Sequence, residues 1–154
     1  IRPAAARLLY AGPARKPAAE RELDAEHAEL DVLLEHSDVV SLHAPGGAAT
    51  RDLIGAAELE RMPAHAVLVN TARGTLINPV ALAEALHSGA LGAAGLDVYP
   101  AEPEVPAVLL DAPRCVLLPH IGSATQTARD AMAELAARNV LAVLDGEEPP
   151  ARVA

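Results

Sequence analysis

Three polar side chains with complementary chemistry each follow an apolar run of the sequence. Arg73 comes after the run AVLVN, Glu102 after the glycine-rich run GAAGLDV, and His120 after the run CVLL. Together they offer a guanidinium that can bind a carboxylate, a proton donor that titrates near neutral pH, and an acid that keeps this donor charged. Each residue taken singly is explained better by an ordinary structural role. Their combination at three successive strand ends predicts an active site.

The apolar runs alternate with segments of helical period, which is typical of an α/β protein. The predicted strands cover residues 7–11, 38–43, 66–70, 93–98 and 116–118. The predicted helices cover residues 31–37 and 56–62, the segment between Asn78 and Gly89, and a segment that begins near Ser123 and runs to Gly146. We predict a Rossmann-type doubly wound parallel sheet, in which ligands bind outside the carboxyl ends of the strands.

Two of the helices carry end signals. Asn78 is the expected N-cap of its helix, Pro79 suits the first helical position, and Gly89 suits a left-handed C-terminal residue. For the last helix, the spacing of Ser123 and Gln126 predicts a capping box.

Composition limits the classes of partner. The chain has 154 residues, enough for one domain, and with no Phe or Trp its core must be built from Ala, Val, Leu and Ile. The formal net charge of −9 disfavours nucleic acid, and no apolar stretch reaches the length of a membrane span. Cys115 stands alone in an apolar run, which favours a buried hydrophobe and a reducing, cytoplasmic location. The histidines show no metal-ligand spacing, so no metal is expected.

Four strings of the sequence resemble, in order and spacing, the motifs of the D-isomer-specific 2-hydroxyacid dehydrogenase family. They are DVVSLHAP (38–45), LVNTARG (68–74), AAGLDVYPAEP (93–103) and LLPHIGSAT (117–125). PHIGSAT and the tail after LDGEEP resemble most the glyoxylate/hydroxypyruvate reductase branch. The resemblance implies an oxidoreductase that transfers a hydride between NAD(P)H and a small 2-oxoacid such as glyoxylate or hydroxypyruvate. It also implies a homodimer at full length.

The resemblance assigns the three strand-end residues as a catalytic triad. His120 would give its proton to the substrate carbonyl oxygen, and Glu102 would favour the charged imidazolium. Arg73 would bind the substrate carboxylate or keto oxygen and orient it.

The resemblance also implies a set of residues along the cofactor. They are Leu42, Pro45, Thr71, Ala72, Asp97 and Gly122. Asp97 matches an acid near the nicotinamide, and Gly122 matches a small residue that lets the carboxamide approach. The chain departs from the family at Gly47, where relatives often have a threonine.

The segment after the first predicted strand bears on cofactor choice. Residues 10–16 contain no acid that could bond the ribose hydroxyls of NAD, whereas Arg15 and Lys16 can meet the 2′-phosphate of NADP. An ordinary basic turn is the alternative. We therefore expect NADP or NAD, with NADP favoured.

The family's GxGxxG fingerprint is expected upstream of Arg7, together with a first strand, a first helix and a substrate domain. Residues 1–154 are accordingly predicted to be a partial NAD(P)-binding domain, with strands 7–11 and 38–43 on either side of the missing strand. We expect the isolated chain to be unstable and inactive. Two alternatives stay open: an NAD(H)-sensing interaction module of the corepressor type, and a fragment without a function of its own.

Overall fold

The computed structural model describes residues 7–152 of the chain. These residues form two compact units, 7–118 and 119–152. The strands are β1 (Leu8–Tyr10), β2 (Ala25–His27), β3 (Val39–Leu42), β4 (Val67–Asn70), β5 (Ala93–Leu96) and β6 (Cys115–Leu117). The helices are α1 (Pro17–Leu23), α2 (Leu30–His36), α3 (Ala56–Arg61), α4 (Pro79–Ser88), α5 (Ala107–Leu110) and α6 (Gln126–Leu144).

All strand pairs are parallel, which confirms the predicted α/β class. β1 pairs with β2, and a second sheet has the order β3-β4-β5-β6. The last residues of the four strands in the second sheet, Leu42, Asn70, Leu96 and Leu117, lie in register with one another. The loops that follow these strands therefore leave the sheet at the same edge.

β1 and β3 lie in different sheets, as the predicted topology requires. Each pairs with a neighbour on one side only within the described residues, β1 with β2 and β3 with β4. On β3 the side chains alternate, with Val40 and Leu42 buried and Val39 and Ser41 exposed. This alternation is the pattern of a strand with one covered face.

The core lies around the second sheet and is aliphatic, as the composition predicts. Leu68 of β4 and Leu82 and Leu86 of α4 are fully buried, and they belong to one cluster that extends from Leu34 to Ala112. Among the described residues, none before Leu34 and none after Ala112 is buried. The hydrophobic stabilisation of the first unit therefore lies in the part that carries β3 to β5.

Helix α4 begins and ends where the sequence predicts. The Asn78 side chain accepts hydrogen bonds from the backbone N–H groups of Val80 and Ala81, both at 3.1 Å. Gly89 has a φ of 77°, a left-handed conformation that a glycine adopts without strain. The predicted N-cap and C-terminal glycine are both confirmed.

The predicted start of the last helix is wrong. Helix α6 begins at Gln126, and its N-cap is Thr125, whose side chain accepts from the Ala128 N–H at 3.2 Å. Ser123 therefore lies before the cap. The predicted capping box fails because Thr125, two residues nearer to the helix, already accepts one of the free N–H groups of the first turn.

Helix α1 and strand β2 have no counterpart in the prediction. α1 is a seven-residue helix without a buried residue, and β2 is the short, polar segment Ala25–His27. Neither shows the apolar period on which sequence reasoning depends. β2 is extended because it forms a parallel ladder with β1. In the described part of the chain, no helix is long and apolar enough to cross a membrane.

Candidate active site at the strand ends

The turn after β4 presents Arg73 and is held by a buried amide. Asn70, the last residue of β4, is only 1% exposed. Its side-chain Nδ2 donates to the carbonyl oxygen of Arg73 at 2.9 Å, and its Oδ1 accepts from the backbone N–H of Ala72 at 3.0 Å. The Arg73 side chain is exposed, and its Nη1 donates to the Ala72 carbonyl oxygen at 2.6 Å. The turn thus has a fixed backbone and an accessible guanidinium.

The loops that follow β4 and β5 touch at Gly74. A Cβ atom at this position would lie 1.9 Å from the carbonyl carbon of Tyr99 and 2.3 Å from its Cα. No side chain fits there without a backbone shift. Glycine therefore allows the Arg73 turn to lie directly against the loop that carries Glu102.

Tyr99 connects this contact to Glu102. Its backbone N–H donates to Glu102 Oε1 at 3.0 Å, and its phenol donates to the Leu118 carbonyl oxygen, just beyond β6, at 2.8 Å. Burial is the main cause that raises the pKa of the Tyr99 phenol, with smaller contributions from Cys115 and Asp97. Tyr99 thus joins the loops at the ends of three neighbouring strands. Neither Tyr99 nor Gly74 was predicted from the sequence to have a role in the site.

Asp97 lies at the same edge of the sheet. It follows Leu96, the last residue of β5, and its backbone N–H donates to the Asn70 carbonyl oxygen at 3.0 Å. Asn70 and Asp97 are the buried polar residues of the described part of the chain. A buried carboxylate at a strand end is costly without polar partners, which marks this edge as a polar site within an apolar fold.

A groove of about 870 Å³ opens beside Arg73. It is lined by His43, Ala44, Pro45, Gly46, Gly47, Ala48, Arg51, Ala72, Arg73 and Thr75. The lining includes two guanidinium groups and an imidazole but no carboxylate. This volume is within the range of cofactor pockets, and the charge suits an anionic ligand.

The loop after β3 packs against the Arg73 side chain. A Cβ atom added at Gly46 would lie 3.1 Å from Arg73 Cγ, so the loop backbone approaches the arginine stem closely. The Thr50 hydroxyl donates to the Pro45 carbonyl oxygen at 2.7 Å and closes the loop. Small residues at this wall let backbone groups reach a ligand in the groove.

The predicted cofactor residues differ in where they lie relative to the groove. Pro45 and Ala72 line the groove. Leu42 is buried in the core, so it can meet a ligand only through its backbone. Thr71 is exposed next to the groove residue Ala72.

Arg15 forms an ion pair that was not predicted from the sequence. Its Nη2 lies 2.6 Å from Glu20 Oε2, and the Tyr10 phenol donates to Glu20 Oε1. These hydrogen bonds, that of Arg15 first, lower the pKa of Glu20 to about 2. The Tyr10 hydroxyl also accepts from the backbone N–H of Lys16 at 2.7 Å. Segment 10–16 contains no acid, but helix α1 supplies one.

His120 and Gly122 belong to the second unit. His120 is exposed and has a φ of 55°, a left-handed conformation that is uncommon for a residue with a side chain. The structure thus brings the Arg73 and Glu102 loops together, and His120 follows the last residue of β6 by three positions. Among the described residues there is no cluster of His, Cys, Asp and Glu that could hold a metal ion.

The chain is similar to several known reductases. It is 44% identical over 144 residues to a glyoxylate reductase of Thermococcus litoralis, covering 94% of this chain and 44% of that protein. The crystal structure of a glyoxylate reductase from Paecilomyes thermophila has a TM-score of 0.83 and 41% identity, covering 92% of this chain and 43% of that one. A third relative is the NADPH-dependent glyoxylate/hydroxypyruvate reductase of Sinorhizobium meliloti in complex with NADP and malonate. It has a TM-score of 0.87 and 32% identity, covering 96% of this chain and 46% of that one.

These relatives are longer than the chain, which spans less than half the length of each. Residues 1–122 match the family described as D-isomer specific 2-hydroxyacid dehydrogenase, NAD binding domain. This match includes the strand ends of both parallel sheets and the positions of Arg73, Glu102 and His120. The chain therefore belongs to the D-isomer specific 2-hydroxyacid dehydrogenase family.

Proposed function

We propose that the protein containing this chain is an NAD(P)-dependent reductase of small 2-oxoacids such as glyoxylate or hydroxypyruvate. The observation that carries the proposal is the close approach of Gly74 to Tyr99. This contact lies at the carboxyl edge of a parallel sheet, where such folds bind their ligands. It sets the turn that carries Arg73 beside the loop that carries Glu102.

In this proposal Arg73 binds the substrate carboxylate. Its guanidinium offers paired N–H donors whose planar geometry matches a carboxylate, and it is exposed beside the groove. The backbone of the turn is fixed by Asn70 and by the contact at Gly74. A substrate held by such an arginine loses little further freedom before it reacts.

His120 is proposed as the proton donor and Glu102 as its partner. The imidazolium would give its proton to the carbonyl oxygen of the 2-oxoacid as C2 is reduced, and a nearby carboxylate would favour the charged ring. Support comes from connectivity, because the chain leaves β6 at the edge where the Arg73 and Glu102 loops lie. The resemblance of residues 117–125 to the family motif also supports this proposed role.

The nicotinamide cofactor supplies the hydride when it is bound. The groove fits such a group because it combines a suitable volume, a cationic lining and a wall of small residues. We propose that Pro45, Thr71 and Ala72 contact the cofactor along this wall and that Asp97 and Gly122 lie near its nicotinamide end. Leu42 would contribute its backbone.

NADP is proposed as the preferred cofactor, with Arg15 and Lys16 as the cations that meet its 2′-phosphate. Arg15 is exposed although it is paired, so its remaining N–H groups stay accessible. Glu20 reduces the local positive charge, which makes the preference smaller than the two cations alone imply.

We also propose a homodimer in the cytoplasm. The dimer rests on the family resemblance, and the location rests on Cys115, a lone cysteine in a chain that cannot form an internal disulfide.

The test uses the full-length protein that contains this chain. We expect NADPH-dependent reduction of glyoxylate and hydroxypyruvate, followed by the loss of nicotinamide absorbance. His120→Ala should lower kcat by roughly 10²- to 10⁴-fold, the contribution of a positioned proton donor, and leave the Kd for NADPH unchanged. Near-normal turnover of this variant would remove His120 from the reaction.

His65→Ala is the matched control. His65 is also an exposed histidine, but its Nε2 pairs with Asp38 Oδ1 at 2.7 Å, before β3 and away from the carboxyl edge. This variant should keep full turnover. A comparable loss in both variants would point to a general effect of removing a histidine.

A further inference from the structure

We propose that Asn70 is a positioning residue that fixes the direction in which Arg73 presents its guanidinium. The inference deepens the proposed function and rests on it, because it assigns a role to a buried residue outside the groove lining. Asn70 ends β4, and its side chain is buried.

The hydrogen bonds of Asn70 hold two peptide groups of the turn, the one between Thr71 and Ala72 and the one that follows Arg73. Oδ1 accepts from the Ala72 N–H, and Nδ2 donates to the Arg73 carbonyl oxygen. The Ala72 carbonyl oxygen accepts from Arg73 Nη1. The Arg73 carbonyl oxygen also accepts from the Leu76 N–H at 3.2 Å, so the Asn70 amide is one of two donors that fix its direction.

A planar amide suits this position because one side is a donor and the other an acceptor. An aspartate of the same size would keep the acceptor for Ala72 but place a carboxylate oxygen against the Arg73 carbonyl oxygen. That repulsion would turn the Arg73 carbonyl away and move the guanidinium with it. Asn70→Asp replaces one nitrogen by an oxygen and keeps the size of the side chain. It therefore tests the orientation of the Arg73 guanidinium rather than the packing of the core.

A second contact fixes the turn on the other side of Arg73. The backbone of Gly74 lies against Tyr99, so the turn is anchored just after the arginine as well as before it. We therefore expect a shift of the Arg73 carbonyl to be taken up largely at Arg73, the charged residue of the turn that lines the groove. A small backbone displacement becomes a larger displacement of the charged group.

The experiment is a double-mutant cycle in the full-length protein, with Asn70→Asp, Arg73→Ala and the double variant. For wild type to Asn70→Asp we expect kcat/KM with glyoxylate to fall about 10- to 100-fold, as misplacement of a substrate-binding group does. In the Arg73→Ala background the same change should cost less than about twofold, because the guanidinium that it misdirects is already absent. The Kd for NADPH should stay within about threefold of wild type.

Asn78→Ala is the matched control. Asn78 is also an asparagine whose Oδ1 accepts from two backbone N–H groups, but it caps helix α4. It should lower the thermal midpoint and leave kcat/KM unchanged. Asn70→Ser, which keeps a small hydrogen-bonding group, is the second variant if Asn70→Asp does not fold, and its losses should follow the same pattern of non-additivity.

Several outcomes decide the inference. Equal losses from the Asn70 change with and without Arg73 would overturn it, because Asn70 would then act on the fold as a whole. An unchanged kcat/KM in Asn70→Asp would also overturn it, while a large loss in Arg73→Ala would leave the proposed function intact. A wild-type protein that reduces no 2-oxoacid would overturn both.

Discussion

The first unit contains two regions that are held together by different forces. From Leu34 to Ala112 the chain builds one aliphatic cluster, with leucines such as Leu68 fully buried. Residues 7–29 have no buried side chain and depend on the ladder of β1 and β2 and on ion pairs, Arg7 with Glu26 and Arg15 with Glu20. Exposed ion pairs contribute far less to stability than buried leucines do.

The better-packed region carries the part of the site that the proposed catalysis requires to be rigid. The proposed catalytic turn at Arg73 directly follows β4 of the well-packed sheet. Its backbone is fixed by the buried amide of Asn70 and by the contact of Gly74 with Tyr99. The proposed 2′-phosphate contacts at Arg15 and Lys16 lie in the lightly packed region. Regions with few buried contacts open more readily, so cofactor choice is expected to change more easily than catalysis.

The largest expected effect comes from the aliphatic cluster. Leu68→Ala, a truncation of a fully buried side chain in β4, should lower the free energy of unfolding by about 2–5 kcal/mol. Leu8→Ala in β1, where the leucine is 44% exposed, should cost about 1 kcal/mol or less. Denaturant unfolding of the full-length variants measures both. Equal losses would mean that the two regions do not differ in packing.

The next largest effect comes from a glycine at the strand ends, compared with a glycine within β5. Gly74→Ala must push Tyr99 aside, since its Cβ would overlap the Tyr99 backbone, and overpacking of this kind costs about 1–3 kcal/mol. We expect kcat/KM to fall with it, because the Arg73 and Glu102 loops move apart. Gly95→Ala is the control: it lies on β5 with nothing within 4 Å of the added Cβ, and it should retain activity. A fully active Gly74→Ala would contradict the contact.

A smaller effect concerns the cofactor. Glu20→Gln removes the charge that pairs with Arg15, so the ratio of kcat/KM with NADPH to that with NADH should rise about threefold, the size of an exposed ion pair. Glu22→Gln, an exposed glutamate on the same helix, should leave the ratio unchanged. A ratio that does not respond to Glu20→Gln would argue that Arg15 does not meet the 2′-phosphate.

The smallest effect is a pH dependence confined to the lightly packed region. Hydrogen bonds from Arg15 and Tyr10 lower the pKa of Glu20 from 4.5 to about 2, and Arg7 lowers the pKa of Glu26. A carboxyl with a lowered pKa stabilises the fold above its ordinary pKa and loses this contribution as the pH falls through the lowered value. The amide protection factors of residues 8–27, which correct hydrogen exchange for its intrinsic pH dependence, should therefore fall between pH 4.5 and about 2. The Glu20→Gln variant should lose part of this dependence, and an unchanged profile would contradict the assignment.

The sequence predicted the packed region well. The strands near 39–42 and 67–70 are short apolar runs bounded by polar residues, and Asn78 and Gly89 carry end signals that depend only on local geometry. Burial and capping are encoded within a few residues, so periodicity and residue type were sufficient. Asn70 is the polar last residue of the run AVLVN. A polar residue at the end of a predicted buried strand is the signal by which it could have been found.

The sequence predicted the lightly packed region poorly. Helix α1 has no apolar face, so Glu20 was not expected near Arg15. The contact of Gly74 with Tyr99 joins residues from different strand ends and follows from the register of β4 and β5. Such contacts depend on tertiary structure, and no local pattern of residues reveals them.

The placement of the tyrosines has a spectroscopic consequence. The chain contains two tyrosines and no Trp or Phe, and one tyrosine lies in each of the compared regions, Tyr10 in β1 and Tyr99 after β5. Loss of solvation together with nearby acids raises the pKa of both phenols. Tyr99→Phe leaves Tyr10 as the sole phenol of residues 1–154, and Tyr10→Phe leaves Tyr99, so the phenolate absorbance of these residues follows one region at a time without an added label.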